Sequence, residues 1–156
     1  MDGLVIAILG AAIAVFLAGI GSAVGVAIAG QVAAGLISEK PEKFGETFLL
    51  VALPGTQGIY GFAVGIWLLL KIGLLGGTAA SLTMDQGWKL LAACLPVAFT
   101  GLLSAIHQGK VCASGIGVVA KQEGQFVKAI MYAVLVETYA LLGFVSSILL
   151  LIGIKI

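Results

Sequence analysis

Four long apolar runs, parted by short polar stretches, dominate the pattern along this chain: about Gly3 to Ile37, Phe44 to Leu75, Trp88 to Ala120 and Phe126 to Ile154. At a rise of about 1.5 Å per residue, each run can cross a hydrocarbon core of about 30 Å as a helix. Ser38-Glu39-Lys40-Pro41-Glu42-Lys43 reads as a first exposed connector, with a helix-breaking proline. Gly73 to Asp85, with its Gly76-Gly77-Thr78 cluster, reads as a second loop, and Lys121-Gln122-Glu123-Gly124-Gln125 as a third.

The halves repeat. An ungapped shift of 82 residues, read from Gly19 onto Gly101, also puts Ser22 on Ser104, Ala23 on Ala105 and Gly35 on Gly117. It carries Phe44 onto Phe126, Leu53 onto Leu135, Thr56 onto Thr138, Gly61 onto Gly143 and Phe62 onto Phe144. The expected fold is therefore an all-α membrane protein of two tandem-duplicated hairpins, 1–75 and 86–156. Both hairpins should point the same way through the membrane, as parallel repeats do in transport proteins.

Composition agrees with a bilayer. The chain of 156 residues is 61% hydrophobic and 10% charged, with a mean hydropathy of +1.21, too little polar surface for a water-soluble domain of this size. Its 23 glycines lie scattered through the helical runs, as expected where backbones press together in lipid. Gly21 and Gly25 form a GxxxG within a run that also holds Gly19, Ala27, Ala29, Ala33 and Ala34, so tight packing around a crowded axis is expected. The start Met1-Asp2 lacks a positive n-region, and the first run is longer than a signal core, so it reads as a span. A net charge of +1 with no basic cluster gives no reason to expect nucleic acid as a partner. Cys94 and Cys112 lie about 27 Å apart along one helix, too far to bridge within one chain, and read as packing residues.

One residue breaks the apolar pattern where it matters. Glu137 is the only charge between Ala129 and Ile154, whereas Asp2, Glu39, Glu42, Glu46, Asp85 and Glu123 fall near the ends of runs. An ionisable group at the bilayer centre costs about 2.5–3.5 kcal/mol even on the lenient insertion scale, so it is a functional candidate. Holding helices together is the blander role, and a neutral Gln would fill it equally well. Under the 82-residue shift Glu137 falls on Gly55, so only one hairpin carries a carboxylate.

Other polar residues gather near it. Leu53, Thr56, Gln57 and Tyr60 stand at i, i+3, i+4 and i+7, on one helix face. Pro54 removes a backbone hydrogen bond there and loosens the turn, and loosened carbonyls at membrane depth are places for Na+ or H+. Counted from the two homologous connectors, Thr56, Gln108 and Glu137 all lie about 17–18 Å from one membrane side. The cluster can be an ion site or an interhelix hydrogen-bond network. A monovalent cation would neutralise the lone carboxylate, and hydroxyl, amide and carbonyl oxygens are hard ligands. Thr56, Gln57 and Gln108 are more ligands than a proton needs, which favours Na+ over H+. His107 points about 100° away from Gln108 and is expected to pack or to face a neighbouring copy.

These motifs closely resemble the proteolipid, or rotor-ring, component of V-type rotary ATPases, most of all its bacterial sodium-pumping branch. The resemblance runs nearly the whole chain, through Pro41-Glu42-Lys43-Phe44-Gly45, Leu53-Pro54-Gly55-Thr56-Gln57-Gly58, Gln108-Gly109-Lys110 and Val136-Glu137-Thr138-Tyr139. It implies Na+ ligands at the Leu53 carbonyl, Thr56, Gln57, Gln108 and Glu137, with Tyr60 hydrogen-bonding the carboxylate. His107 departs from the small residue expected there. The resemblance further implies a ring of identical copies in the plasma membrane, with both short connectors in the cytoplasm against the central stalk. Lys40, Lys43, Lys121 and Lys128 near those connectors, against Lys71, Lys89 and Lys155 opposite, agree with a thin positive-inside bias.

The chain has the marks of a part. It lacks a GxxxxGK[ST] loop, so ATP hydrolysis would belong to other subunits. All eight basic residues are lysines, none level with Glu137, so a positive charge that displaces the ion would come from a partner. The resemblance implies an arginine on the stator. A self-contained cation channel is the alternative, though the chain shows no charge ring or gate motif.

Overall fold

A computed structural model describes residues 2–156, and it is helical nearly throughout. Helix α1 runs Gly3–Glu39 and is followed by a 3-10 turn at Pro41–Lys43. The second span consists of α2, Phe44–Ala52, a 3-10 turn at Leu53–Gly55, and α3, Thr56–Lys71. After a loop come α4, Met84–Lys121, and α5, Phe126–Gly153. Four spans are thus long and apolar enough to cross a membrane, as the hydrophobic pattern requires.

Two boundaries differ from the sequence reading. The second span stops at Lys71 rather than Leu75, because Gly73 takes a left-handed φ of 72° and turns the chain into a 3-10 segment, Leu74–Gly76. Helix α4 begins four residues before Trp88, because Thr83 and Gln86 close a capping box. Gln86 donates its backbone N–H to Thr83 Oγ1 at 3.2 Å, and Thr83 N–H donates to Gln86 Oε1 at 3.0 Å.

Helices α1 and α4 lie side by side, parallel and in register, and α2–α3 and α5 pack against them. Glycine makes that approach possible. A Cβ at Gly10 would stand 2.7 Å from Leu91 Cα, and one at Gly21 would stand 2.6 Å from Leu102 Cα. Further along, a Cβ at Gly25 would run into the Ala105 backbone, and one at Gly109 into the Gly25 backbone. The crowded axis expected from the GxxxG is therefore the seam between the two hairpins of one chain. Outside this seam the helices expose Phe16, Ile59, Leu70, Met131, Leu142 and Leu149. A water-soluble protein would not tolerate such an exterior, whereas lipid or another copy can cover it.

The buried interior splits into two apolar clusters. One gathers Ala7, Ala14, Val64, Leu68, Cys94 and Leu151, and the other gathers Ala29, Leu50, Cys112, Ile116, Ala129 and Ala133. On every span polar residues lie between these clusters: Ser22, Thr56 with Gln57 and Tyr60, Ser104 with Gln108, and Glu137. The two cysteines are unpaired and sit in different clusters, which keeps them apart.

Candidate functional site: an oxygen cluster around Glu137

The site forms where a 3-10 turn interrupts the second span. Pro54 is buried and cannot donate to the carbonyl of Leu50, and the local helix tightens to the 3-10 turn at Leu53–Gly55. Pro54 also packs on Gly25 of α1, where a Cβ would come within 2.8 Å of its own Cβ. The turn leaves the Leu53 carbonyl within reach of side chains as well as backbone. Both the Thr56 backbone N–H and Thr56 Oγ1 contact it, the hydroxyl at 2.9 Å.

Glu137 lies half-buried on α5 and faces this turn across the seam. Thr56 Oγ1 stands 2.8 Å from Glu137 Oε1, and the Tyr60 hydroxyl donates to the same oxygen at 2.7 Å. The Tyr60 ring is held against Phe144 with centroids 5.4 Å apart. Gln108, fully buried, donates from Nε2 to Glu137 Oε2 at 3.3 Å and to the Ala133 carbonyl at 3.0 Å. Gln57, also fully buried, donates to Gln108 Oε1 at 2.6 Å and turns its own Oε1 toward Thr56 Oγ1 at 3.4 Å.

The donor count around Thr56 is informative. Its hydroxyl carries one proton, yet three acceptors surround it: Leu53 O, Gln57 Oε1 and Glu137 Oε1. Only one of those oxygens can take the proton at a time. Four oxygens of hard character, one of them from a carboxylate, therefore converge around Thr56, with the Thr56 N–H and the Tyr60 hydroxyl serving the Leu53 and Glu137 oxygens from outside the cluster. Such a cluster suits a small hard cation. Among the described residues no three His, Cys, Asp or Glu side chains gather, so the charge of the site comes from a single carboxylate. Neither ion pair, Lys43–Glu46 or Lys89–Asp85, involves Glu137. Lys110, two residues beyond Gln108, is exposed.

All the residues singled out in sequence, Leu53, Thr56, Gln57, Tyr60, Gln108 and Glu137, meet here, with Pro54 shaping the turn. Thr56 and Glu137, in direct contact, are 81 residues apart along the chain. Sequence reasoning missed two serines. Ser104 donates to the Val136 carbonyl at 2.9 Å and accepts from Gln57 Nε2 at 3.4 Å, while Ser22 accepts the Gly58 backbone N–H at 2.7 Å. Their signal was the repeat itself, which aligns two hydroxyls inside otherwise apolar helices. His107 is exposed and lines a separate groove with Thr100, Leu103, Ser104, Val136 and Tyr139, outside the Glu137 network.

Comparison with known proteins supports the repeat and the family. The family of the ATP synthase C subunit matches twice, at residues 9–68 and 91–150, so both the starts and the ends are 82 residues apart. The V-type sodium ATPase subunit K of Enterococcus hirae is 47% identical over 151 residues, 97% of this chain and 93% of the relative. The A-type ATP synthase subunit K of Methanocaldococcus jannaschii is 40% identical over 99% of this chain and 65% of its own length. The 16 kDa proteolipid of the V-type proton ATPase of Nephrops norvegicus is 27% identical over 92% of this chain and 87% of the relative. With the profile matching both hairpins and leaving little beyond their ends and the central loop, the chain belongs to the family of the ATP synthase C subunit.

Proposed function

We propose that this chain is the ion-carrying rotor-ring component of a V-type rotary ATPase in the plasma membrane of a bacterium, with one Na+ bound per copy at Glu137. The ligands are the Leu53 carbonyl, Thr56 Oγ1, Gln57, Gln108 and the Glu137 carboxylate. The observation that supports this reading is the convergence of the Leu53 carbonyl, Thr56 hydroxyl, Gln57 amide and Glu137 carboxylate oxygens at one place. A cation placed among them replaces hydration with fixed oxygens, and the charge of Glu137 is neutralised at membrane depth.

Each part of the site then has a task. Pro54 presents the Leu53 carbonyl. Tyr60 and Gln108 donate to opposite oxygens of Glu137 and hold the carboxylate in one orientation. Gln57 and Ser104 tie the α3 side of the site to α4 and, through the Val136 carbonyl, to α5. A loaded site is neutral and can rotate past lipid, whereas an empty carboxylate is stable only beside a positive charge. That charge comes from the stator, and the two short connectors contact a central stalk on the cytoplasmic side. The sodium ATPase protein among the relatives supports Na+ as the coupling ion.

The alternative is the same rotor role with H+, favoured by the proton ATPase proteolipid that also matches. Carbodiimide, which attacks a protonated carboxyl, distinguishes them. Sodium should protect Glu137 from labelling in the purified complex, and Thr56→Ala or Gln108→Ala should weaken the protection. Labelling that follows pH but ignores sodium up to high millimolar concentrations would assign the site to protons.

A further inference from the structure

Among the described residues, three hydrogen bonds join the second span to α5. Two of them, from Thr56 and Tyr60, end on the Glu137 carboxylate itself. The third lies toward the end of the helices away from the connectors, where Lys71 Nζ donates to the Leu151 carbonyl at 2.5 Å. It is the one polar tie between these two elements that does not pass through the carboxylate. Their remaining contacts, the Tyr60 ring on Phe144 and the buried cluster shared by Leu68 and Leu151, are apolar. In lipid such contacts have little advantage over lipid tails, which are equally apolar.

The chemistry of the contact is that of a helix end. The last carbonyls of a helix lack partners within it. Ile154 returns its N–H to the Leu150 carbonyl, which leaves the Leu151 carbonyl to a side chain. Helix α5 has no basic residue in its last turn, so Lys71 brings it the positive charge that the negative end of a helix favours. Under the 82-residue shift Lys71 falls on Gly153, so the second hairpin has no counterpart of this tie. Lys71 stands 11 residues beyond Tyr60, and Leu151 stands 14 beyond Glu137. The tie and the site are therefore about 17–21 Å apart along the helices.

We propose that Lys71 is a positioning residue for the ion site: by holding the end of α3 on α5, it keeps Thr56 and Tyr60 in register with Glu137 while the carboxylate carries no ion. The inference rests on the reading of Glu137 as a Na+ ligand. When the empty carboxylate turns to a positive charge on a partner, its bonds to Thr56 and Tyr60 are given up, and Lys71 is the polar tie that remains. Helix α3 needs the restraint because it starts directly after the 3-10 turn at Leu53–Gly55, where Pro54 removes a helical hydrogen bond. A slip of one residue along α3 moves Thr56 and Tyr60 by about 1.5 Å, against a tolerance of about 0.5 Å for a binding constellation. A site that is in register for only a fraction of the time binds its ion more weakly by that fraction.

Carbodiimide labelling of Glu137 in the intact complex, read against sodium concentration, tests the tie. Lys71→Met keeps an apolar stem and loses the donor, whereas Lys71→Arg keeps a charged donor. Lys40→Met is the comparison, because Lys40 Nζ donates to the Ala120 carbonyl at 2.9 Å and so ties the end of α1 to α4 instead. The sodium concentration that gives half protection should rise by about threefold or more in Lys71→Met, as for a site in register about a third of the time. In Lys71→Arg and Lys40→Met it should match the unsubstituted complex. An unmoved curve in Lys71→Met would overturn the proposal and leave the Na+ reading standing. An equal rise in Lys40→Met, or no rescue by Lys71→Arg, would overturn it too, since general loosening would then explain the loss. If Lys71→Met yields no complex, Lys71→Gln, which stays polar but loses the charge, is held to the same outcomes. Labelling of the unsubstituted complex that ignores sodium would overturn the Na+ reading, and this inference with it.

Discussion

Thr56 and Glu137 belong to different hairpins, yet Thr56 Oγ1 lies 2.8 Å from Glu137 Oε1. The contact spans the seam that Gly21 and Gly25 keep narrow, so the site depends on packing elsewhere along the same helices. One hairpin supplies the bent turn and its oxygens, and the other supplies the charge. Under the 82-residue shift Gly55 stands where Glu137 stands, so only one hairpin brings a carboxylate to the cluster.

Glu137→Gln should abolish ion-coupled transport while the ring still assembles. The amide keeps the shape and can still accept from Gln108 while its NH2 donates to the Tyr60 hydroxyl, but it removes the carboxylate charge. ATP-driven sodium uptake into vesicles, read beside ring yield on native gels, checks both halves. Normal uptake by the variant would remove the basis for assigning the site to Glu137.

Tyr60→Phe should leave the fold intact, because the ring can still pack on Phe144. It removes one donor to Glu137 Oε1, and a hydrogen bond to a charged group is worth about 1.5–3 kcal/mol. If the hydroxyl orients the carboxylate for Na+, the sodium concentration needed for carbodiimide protection should rise by about tenfold or more. A protection curve that does not move would show that Tyr60 packs without orienting the ligand.

Ser104→Ala should act on stability more than on ion affinity. The hydroxyl donates to the Val136 carbonyl and accepts from Gln57 Nε2, and neither partner is a direct donor to Glu137. Interhelical hydrogen bonds in membranes average about 0.6 kcal/mol, with a maximum near about 1.7. The ring should dissociate in detergent at a temperature lower by a few degrees, with sodium protection nearly unchanged. A large loss of protection would place Ser104 among the ion-binding residues instead.

Gly21→Leu should disrupt the single chain before it disrupts any assembly. Its side chain would run into the Leu102 backbone on α4, which cannot yield as a flexible side chain would. Protease resistance of the detergent-solubilised monomer reads this directly. A protected monomer that fails only to form rings would show that Gly21 serves the contact between copies.

The spans, the duplication and the position of Glu137 along its span were legible in the amino-acid pattern alone. These follow from local quantities: run length against bilayer thickness, the 82-residue repeat, and residues counted from a connector. It also drew Leu53, Thr56, Gln57 and Tyr60 onto one face, because helical period fixes that face without reference to neighbours. Which faces meet was settled by the packed helices. Rotation of a helix about its own axis and its choice of neighbour are set by packing against other helices, and no intrahelical period encodes them. Hence Gly21 and Gly25 turned out to form the seam within the chain, and Ser104 emerged as the link between Gln57 and α5.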